Sequence, residues 1–291
     1  MVGAQMGESI EHLLSSRPDG VVIATPTEAH ADLVLLCCEA GIPAFCEKPV
    51  SADLAVTRHV ADRVRATAAA VHVGFQRRFD AGYRAARAAL CAGELGELRR
   101  MHLVTADPAP PPPEYVATSG GIYRDCQIHD FDVVRWVSGR EVVEVFATGA
   151  NRGAGHFGEV GDVDESAAVL TLDDATLATV QSSRYNGGGY DVRMELAGTL
   201  GTVVAGLDDR VPLRSVEPGA PAPGGASWPG FLERFAAAYL AEMAAFLTMV
   251  QTGSPSPCTV DDSLRALLIA EAAGISRRER RPVRVHQPVG V

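Results

Sequence analysis

Asp125 and His129 stand four residues apart in GGIYRDCQIHDFDVVRW, residues 120–136. That spacing stacks two side chains on one face of a helix. Asp132 and Trp136 continue the stripe, while Phe131, Val133, Val134 and Val137 make the other faces apolar. A helix apolar on every side is a buried one, and titratable groups inside it have to be paired or in use. A carboxylate beside an imidazole raises its basicity and fixes its tautomer, which is what a proton-abstracting histidine needs. Two other readings stay open. Asp125 could cap the helix with His129 a satisfied core histidine, or Asp125, His129 and Asp130 or Asp132 could ligate a metal. No H-x-x-x-H, H-E-x-x-H or cysteine pair accompanies the set, so metal ranks below acid–base use and none is expected.

A second feature is Glu47-Lys48-Pro49, which follows the apolar run Pro43–Cys46. In an open parallel sheet, ligands sit beyond the carboxyl ends of the strands, and a lysine fixed there points an ammonium into that crevice. Taken alone, the tripeptide reads first as a surface lysine in an ordinary loop.

The elements that carry these residues follow from the pattern around them. Val21–Thr25, ended by Pro26, reads as a strand buried on both faces of a parallel sheet. Residues 28–40 have helical spacing with Gly41 as a stop. Strands over 43–46 and 71–75 and helices over 53–67 and about 80–92 complete a doubly wound pattern. From about residue 95 strands dominate, at 98–106, 142–149, 167–172, 177–183, 192–196 and 202–205, interrupted by a helix over about 124–138. Asp107–Pro113 (DPAPPPP) is expected to be an extended loop. Two helices close the chain. The first follows Ser227 with Pro229 in its first turn and an apolar face from Phe231 to Val250; the second is capped by Thr259. The expected domains are 1–94 and 95–291.

The 291 residues are 47% hydrophobic and 21% charged, with a net charge of −10. Disordered, coiled-coil and collagen-like classes are excluded. The basic runs are short and scattered, so no nucleic-acid partner is expected. No apolar stretch reaches 18 residues, so no membrane span is expected either. The start shows no signal peptide, and the six cysteines never form C-x-x-C; they read as reduced thiols of a cytoplasmic protein.

The runs IATPTEAH (23–30), Glu47-Lys48-Pro49, GFQRRFD (74–80), GGxxxDxxxHD (120–130) and GGGYDVR (187–193) occur in one order. In this the chain resembles the Gfo/Idh/MocA oxidoreductases, most of all their inositol 2-dehydrogenase branch. The resemblance implies an α/β fold: a Rossmann domain, here lacking its first β-α-β unit, followed by an α+β domain with a large open, mostly antiparallel sheet. It implies an NAD- or NADP-dependent dehydrogenase oxidising a secondary hydroxyl of a cyclic polyol or sugar, and a homo-oligomer (dimer or tetramer). It assigns catalysis to Lys48, Asp125 and His129. Thr25, Pro26, His30, Glu47 and Lys48 fall at its cofactor positions, and Arg77, Asp107 and Tyr190 at its substrate positions.

Such a protein should open with a strand and G-x-G-x-x-G, but Met1–Gly7 carries Gly3 and Gly7 without that spacing. Three accounts stay open: a start placed downstream of the true one, a short chain that binds cofactor weakly, or a partner that supplies the surface. The first is preferred, because the remaining motifs serve a nicotinamide. The strand at 21–25 would then lack a neighbour and present an apolar edge. The alternative function is a non-catalytic sugar-binding or scaffolding protein.

Overall fold

The computed structural model describes residues 6–222 and 224–286. Packing divides the chain into two units: Met1–Phe75 with Glu242–Leu264, and Gln76–Ala241 with Arg265–Val291.

The first unit holds α1 (Ile10–Ser15), β1 (Val21–Ile23), α2 (His30–Ala40), β2 (Ala44–Glu47), α3 (Leu54–Thr67) and β3 (Val71–Gly74). The three strands form a parallel sheet in the order β1-β2-β3. The helices stop and start where the sequence directs. Gly41 closes α2 at φ +65°, a left-handed conformation that glycine adopts without penalty. Asp53 caps α3 by accepting from the Val56 N–H at 2.9 Å. Among the described residues β1 pairs with β2 alone, and Val22 is 52% exposed between buried Val21 and Ile23. The expectation of a strand covered on both faces is therefore corrected: among the described residues one face of β1 is covered and the other is open at Val22. The core of this unit includes a chain-distant contribution: Phe246 and Met249 pack on Phe45, and the His72 ring stacks on Phe45 at 5.4 Å. Gly20 lies under that helix face, where a Cβ would come within 3.2 Å of Phe246 and Val250.

The second unit begins with α4 (Ala81–Cys91) and β4 (Leu98–Ala106), followed by α5 (Pro113–Thr118), α6 (Ile122–Asp125) and α7 (Ile128–Ser138). Then come β5 (Val142–Ala150), α8 (His156–Glu159), β6 (Glu165–Leu172), β7 (Leu177–Ser183), β8 (Asp191–Gly198) and β9 (Thr202–Ala205). The chain ends with α9 (Phe231–Arg234), α10 (Ala236–Thr252), α11 (Val260–Glu279) and β10 (Val283–Arg284). Seven strands form one sheet in the order β10-β5-β6-β7-β4-β8-β9, antiparallel except for the parallel pair of β4 and β7. Period-two burial along β7 leaves one face covered and the other open.

Three sequence expectations shift. The boundary expected at 94 lies at Phe75, because α4 packs on α7 and β9 of the second unit. The single helix over 124–138 is two, broken at Cys126 and Gln127. The first closing helix starts later than expected: Phe231 is 49% exposed, and the chain is interrupted at Phe235 before α10. Thr259 caps α11 as expected, exchanging hydrogen bonds with Asp262.

Candidate active site

In the first unit the assigned residues gather at the carboxyl ends of the strands, where a parallel sheet binds ligands. Thr25 and Pro26 follow β1 and are exposed; Glu47 ends β2 and Lys48 follows it. Burial pushes the Glu47 carboxyl above its ordinary range, with Lys48 and His30 pulling the other way. Glu47 Oε2 accepts from the Lys48 backbone N–H at 3.3 Å. His30 is buried, with Nδ1 2.8 Å from the Pro49 carbonyl oxygen and Nε2 2.8 Å from that of Thr25. Both neighbours are acceptors, so the ring ties the loop after β1 to the loop after β2.

In the second unit four carboxylates meet three arginines. Arg77, in a 3-10 turn at Gln76–Phe79, donates to Asp130 Oδ1 at 2.5 Å and to Thr105 at 3.0 Å. Burial opposes the Arg77 charge, yet Asp130 beside it holds its pKa above the usual value. Arg78 grips Asp132 through two bonds of 2.8 and 2.6 Å. Arg184 donates to Asp125 Oδ2 at 2.5 Å and to Asp107 Oδ2 at 3.1 Å, and the Tyr115 hydroxyl donates to Asp125 Oδ1 at 2.7 Å. Each carboxylate weighed as a metal ligand thus has an arginine bound to it.

The sequence-assigned residues fall into two groups. Arg184 hydrogen-bonds both Asp107 and Asp125, Tyr190 lies in the field of Arg77 and Asp107, and His129 is the second residue of α7, four positions after Asp125 and across the break at Cys126 and Gln127. Tyr190 is 5% exposed, and burial pushes its hydroxyl well above the ordinary range. Arg77, assigned to substrate, is instead 2% exposed and engaged with Asp130, the residue after His129.

Arg184 and Tyr115 were not singled out from the sequence. A signal was present: a helix apolar on every side that carries Asp125, Asp130 and Asp132 demands buried cations. A literal G-x-G-x-x-G also occurs, at Gly153–Gly158. There the backbone N–H groups of Arg152 and Gly153 already donate to the Asp164 carboxylate, and the loop opens only the one-turn α8. It is a structural turn, not a phosphate cradle.

The groups at the strand ends fit the nicotinamide-ribose end of a dinucleotide: a carboxylate for hydroxyls, an ammonium, and the exposed Thr25 and Pro26 after β1. Among the described residues the β1-β2-β3 sheet offers no glycine-rich turn for a pyrophosphate.

Residues 2–75 match the oxidoreductase family described by its NAD-binding Rossmann fold, and residues 83–204 match the GFO/IDH/MocA C-terminal domain. The chain is 37% identical over 280 residues to the myo-inositol dehydrogenase of Streptomyces leeuwenhoekii, covering 94% of this chain and 84% of that protein. The crystal structure of a myo-inositol dehydrogenase from Corynebacterium glutamicum superposes with a TM-score of 0.89 at 34% identity, covering 98% and 86% of the two chains. The scyllo-inositol dehydrogenase of Lactobacillus casei, crystallised with NAD(H) and scyllo-inositol, gives 0.84 at 29% identity over 96% and 84%. These likenesses lend the non-catalytic alternative no support. Spanning both units at such identity, they make the chain a member of the Gfo/Idh/MocA oxidoreductases.

Proposed function

We propose that this chain is an NAD-dependent dehydrogenase that oxidises a secondary hydroxyl of an inositol. The observation that carries the reading is its identity to an inositol dehydrogenase along nearly the whole chain, both units included. The site chemistry agrees. Asp125, kept ionised by Arg184 and Tyr115, is suited to orient His129 and favour its taking the hydroxyl proton. Lys48 supplies a positive charge for the oxygen as it becomes anionic. Asp107 and Tyr190 hold neighbouring hydroxyls. Arg77 acts at one remove, by fixing Asp130 beside His129. NAD, held by Glu47, Lys48, Thr25 and Pro26, supplies when bound the acceptor for the carbon-bound hydrogen.

The open sheet face supports a homo-oligomer. A single register row crosses it, Val204–Glu195–His102–Thr179–Val169–Phe146, and its Phe146 and Val169 are 43% and 41% exposed. Among the described residues no helix is long and apolar enough to cross a membrane. Six free cysteines, five of them buried, support a reducing compartment such as the cytoplasm. The test is a substrate screen: purified protein with NAD or NADP and a panel of inositols and sugars, watching reduced nicotinamide appear. Inositol-dependent reduction of NAD is expected. Turnover confined to non-cyclic substrates would overturn the assignment.

A further inference from the structure

The Arg184 guanidinium stands between two carboxylates, donating to Asp125 and to Asp107 from separate nitrogens. Backbone hydrogen bonds fix the stretch of chain that carries it. The Arg184 N–H donates to the Asp164 carbonyl at 2.8 Å, the Asp107 N–H to the Ser183 carbonyl at 2.9 Å, and the Asn186 N–H to the Asp107 carbonyl at 2.8 Å. The end of β7 is thereby locked to the end of β4, and a 5% exposed guanidinium has little freedom to leave. Arginine keeps its charge at any working pH.

We propose that Arg184 is a positioning residue that sets the charge of Asp125, the carboxylate four residues before His129, and couples it to Asp107, which rests on the function proposed above. A carboxylate beside an imidazole raises its basicity, and a cation on that carboxylate draws the effect back. Asp125 and Asp107 share this one guanidinium, so any movement of Asp107 toward a polyol is felt at Asp125. The neighbouring groups do not replace it. Cys126 is pushed up to about 12 by burial and stays a thiol, and burial keeps Tyr190 a neutral phenol. Arg77 is engaged with Asp130, while Tyr115 contributes a hydrogen bond without charge.

Arg184→Gln keeps an amide donor and removes the charge. In the active enzyme, assayed with NAD and the best inositol, the acid limb of the kcat/KM profile should move to higher pH by on the order of one unit. KM for the polyol should rise as Asp107 loses its anchor. Arg184→Lys should return the acid limb toward the wild-type position, since the charge is restored without the fork. Tyr115→Phe, at a residue 48% exposed, serves if the Arg184 variants fold poorly. It removes a hydrogen bond to the charged form of Asp125 and should move the limb the same way by less. NAD affinity, read by protein fluorescence, should not change in any variant. A wild type with no inositol-dependent NAD reduction would overturn the functional reading and this proposal with it. An active wild type whose Arg184→Gln or Tyr115→Phe variants keep its pH profile overturns this proposal alone.

Discussion

Arg77 donates to Asp130 at 2.5 Å with both side chains out of reach of water, 3% and 0% exposed. Thr105 adds a hydrogen bond of 2.8 Å to the other Asp130 oxygen. Removing one member of such a pair leaves an uncompensated buried charge, a cost of about 3–5 kcal/mol. Asp130→Asn and Arg77→Met should each lower the denaturant midpoint sharply, and the double variant should lose less than the sum. Were Arg77 mainly a substrate contact, Arg77→Met would raise KM and leave the unfolding curve in place.

His129 opens α7 as its second residue, among buried neighbours and four positions after Asp125, which ends α6. His129→Ala should lower kcat by a factor on the order of 10² to 10⁴, the range for loss of a general base. NAD binding, followed by fluorescence, should be unchanged, because the residues proposed to hold it, Thr25, Pro26, Glu47 and Lys48, belong to the other unit. Full turnover in the variant would remove the proton-abstraction role.

The strands were legible because β-branched runs and turn residues mark them locally: Val21–Ile23, Ala44–Glu47 and Val71–Gly74 lie where the apolar runs put them. Asp125 and His129 were legible from chemistry, as costly groups in an apolar segment. Their surroundings were not. Arg184 reaches Asp125 from 59 residues away, and Arg77 reaches Asp130 from 53. Arg184 is brought in by the parallel pairing of β4 with β7, which sets Ala106 beside Ser183, and Arg77 by the packing of its 3-10 turn on α7; neither follows from a local pattern. The domain boundary escaped for a related reason. Phe246 and Met249 rejoin the first unit's core through contacts that no local period announces.

Glu47 allows a test of pH dependence. Burial raises its folded pKa above the model-peptide value of 4.5, so between those two values the folded state holds more proton than the unfolded chain. Stability contributed by this group therefore falls as pH rises from 4.5 through the folded pKa. Glu47→Gln removes the buried charge and should raise Tm at neutral pH, with the gain vanishing at pH values below the unfolded pKa. Thermal unfolding of both proteins across that window measures it. A variant destabilised at neutral pH would mean that the ion pairing of Glu47 outweighs its burial.

The row from Val204 to Phe146 crosses the open face of the seven-stranded sheet. Period-two alternation puts these side chains on the face opposite the core, so changing them leaves the buried residues of β5 and β6 in place. Phe146 lies directly opposite Val169 across the β5–β6 ladder, which makes them the apolar centre of the face. Phe146→Glu with Val169→Lys places charges of opposite sign as a cross-strand pair, tolerable within one chain. Against a second copy the same charges would have to be desolvated, at a cost of several kcal/mol. Light scattering after size exclusion should show the wild type as a dimer or tetramer and the double variant as a folded monomer with unchanged far-UV dichroism. A wild type that runs as a monomer would leave this face without a role in assembly.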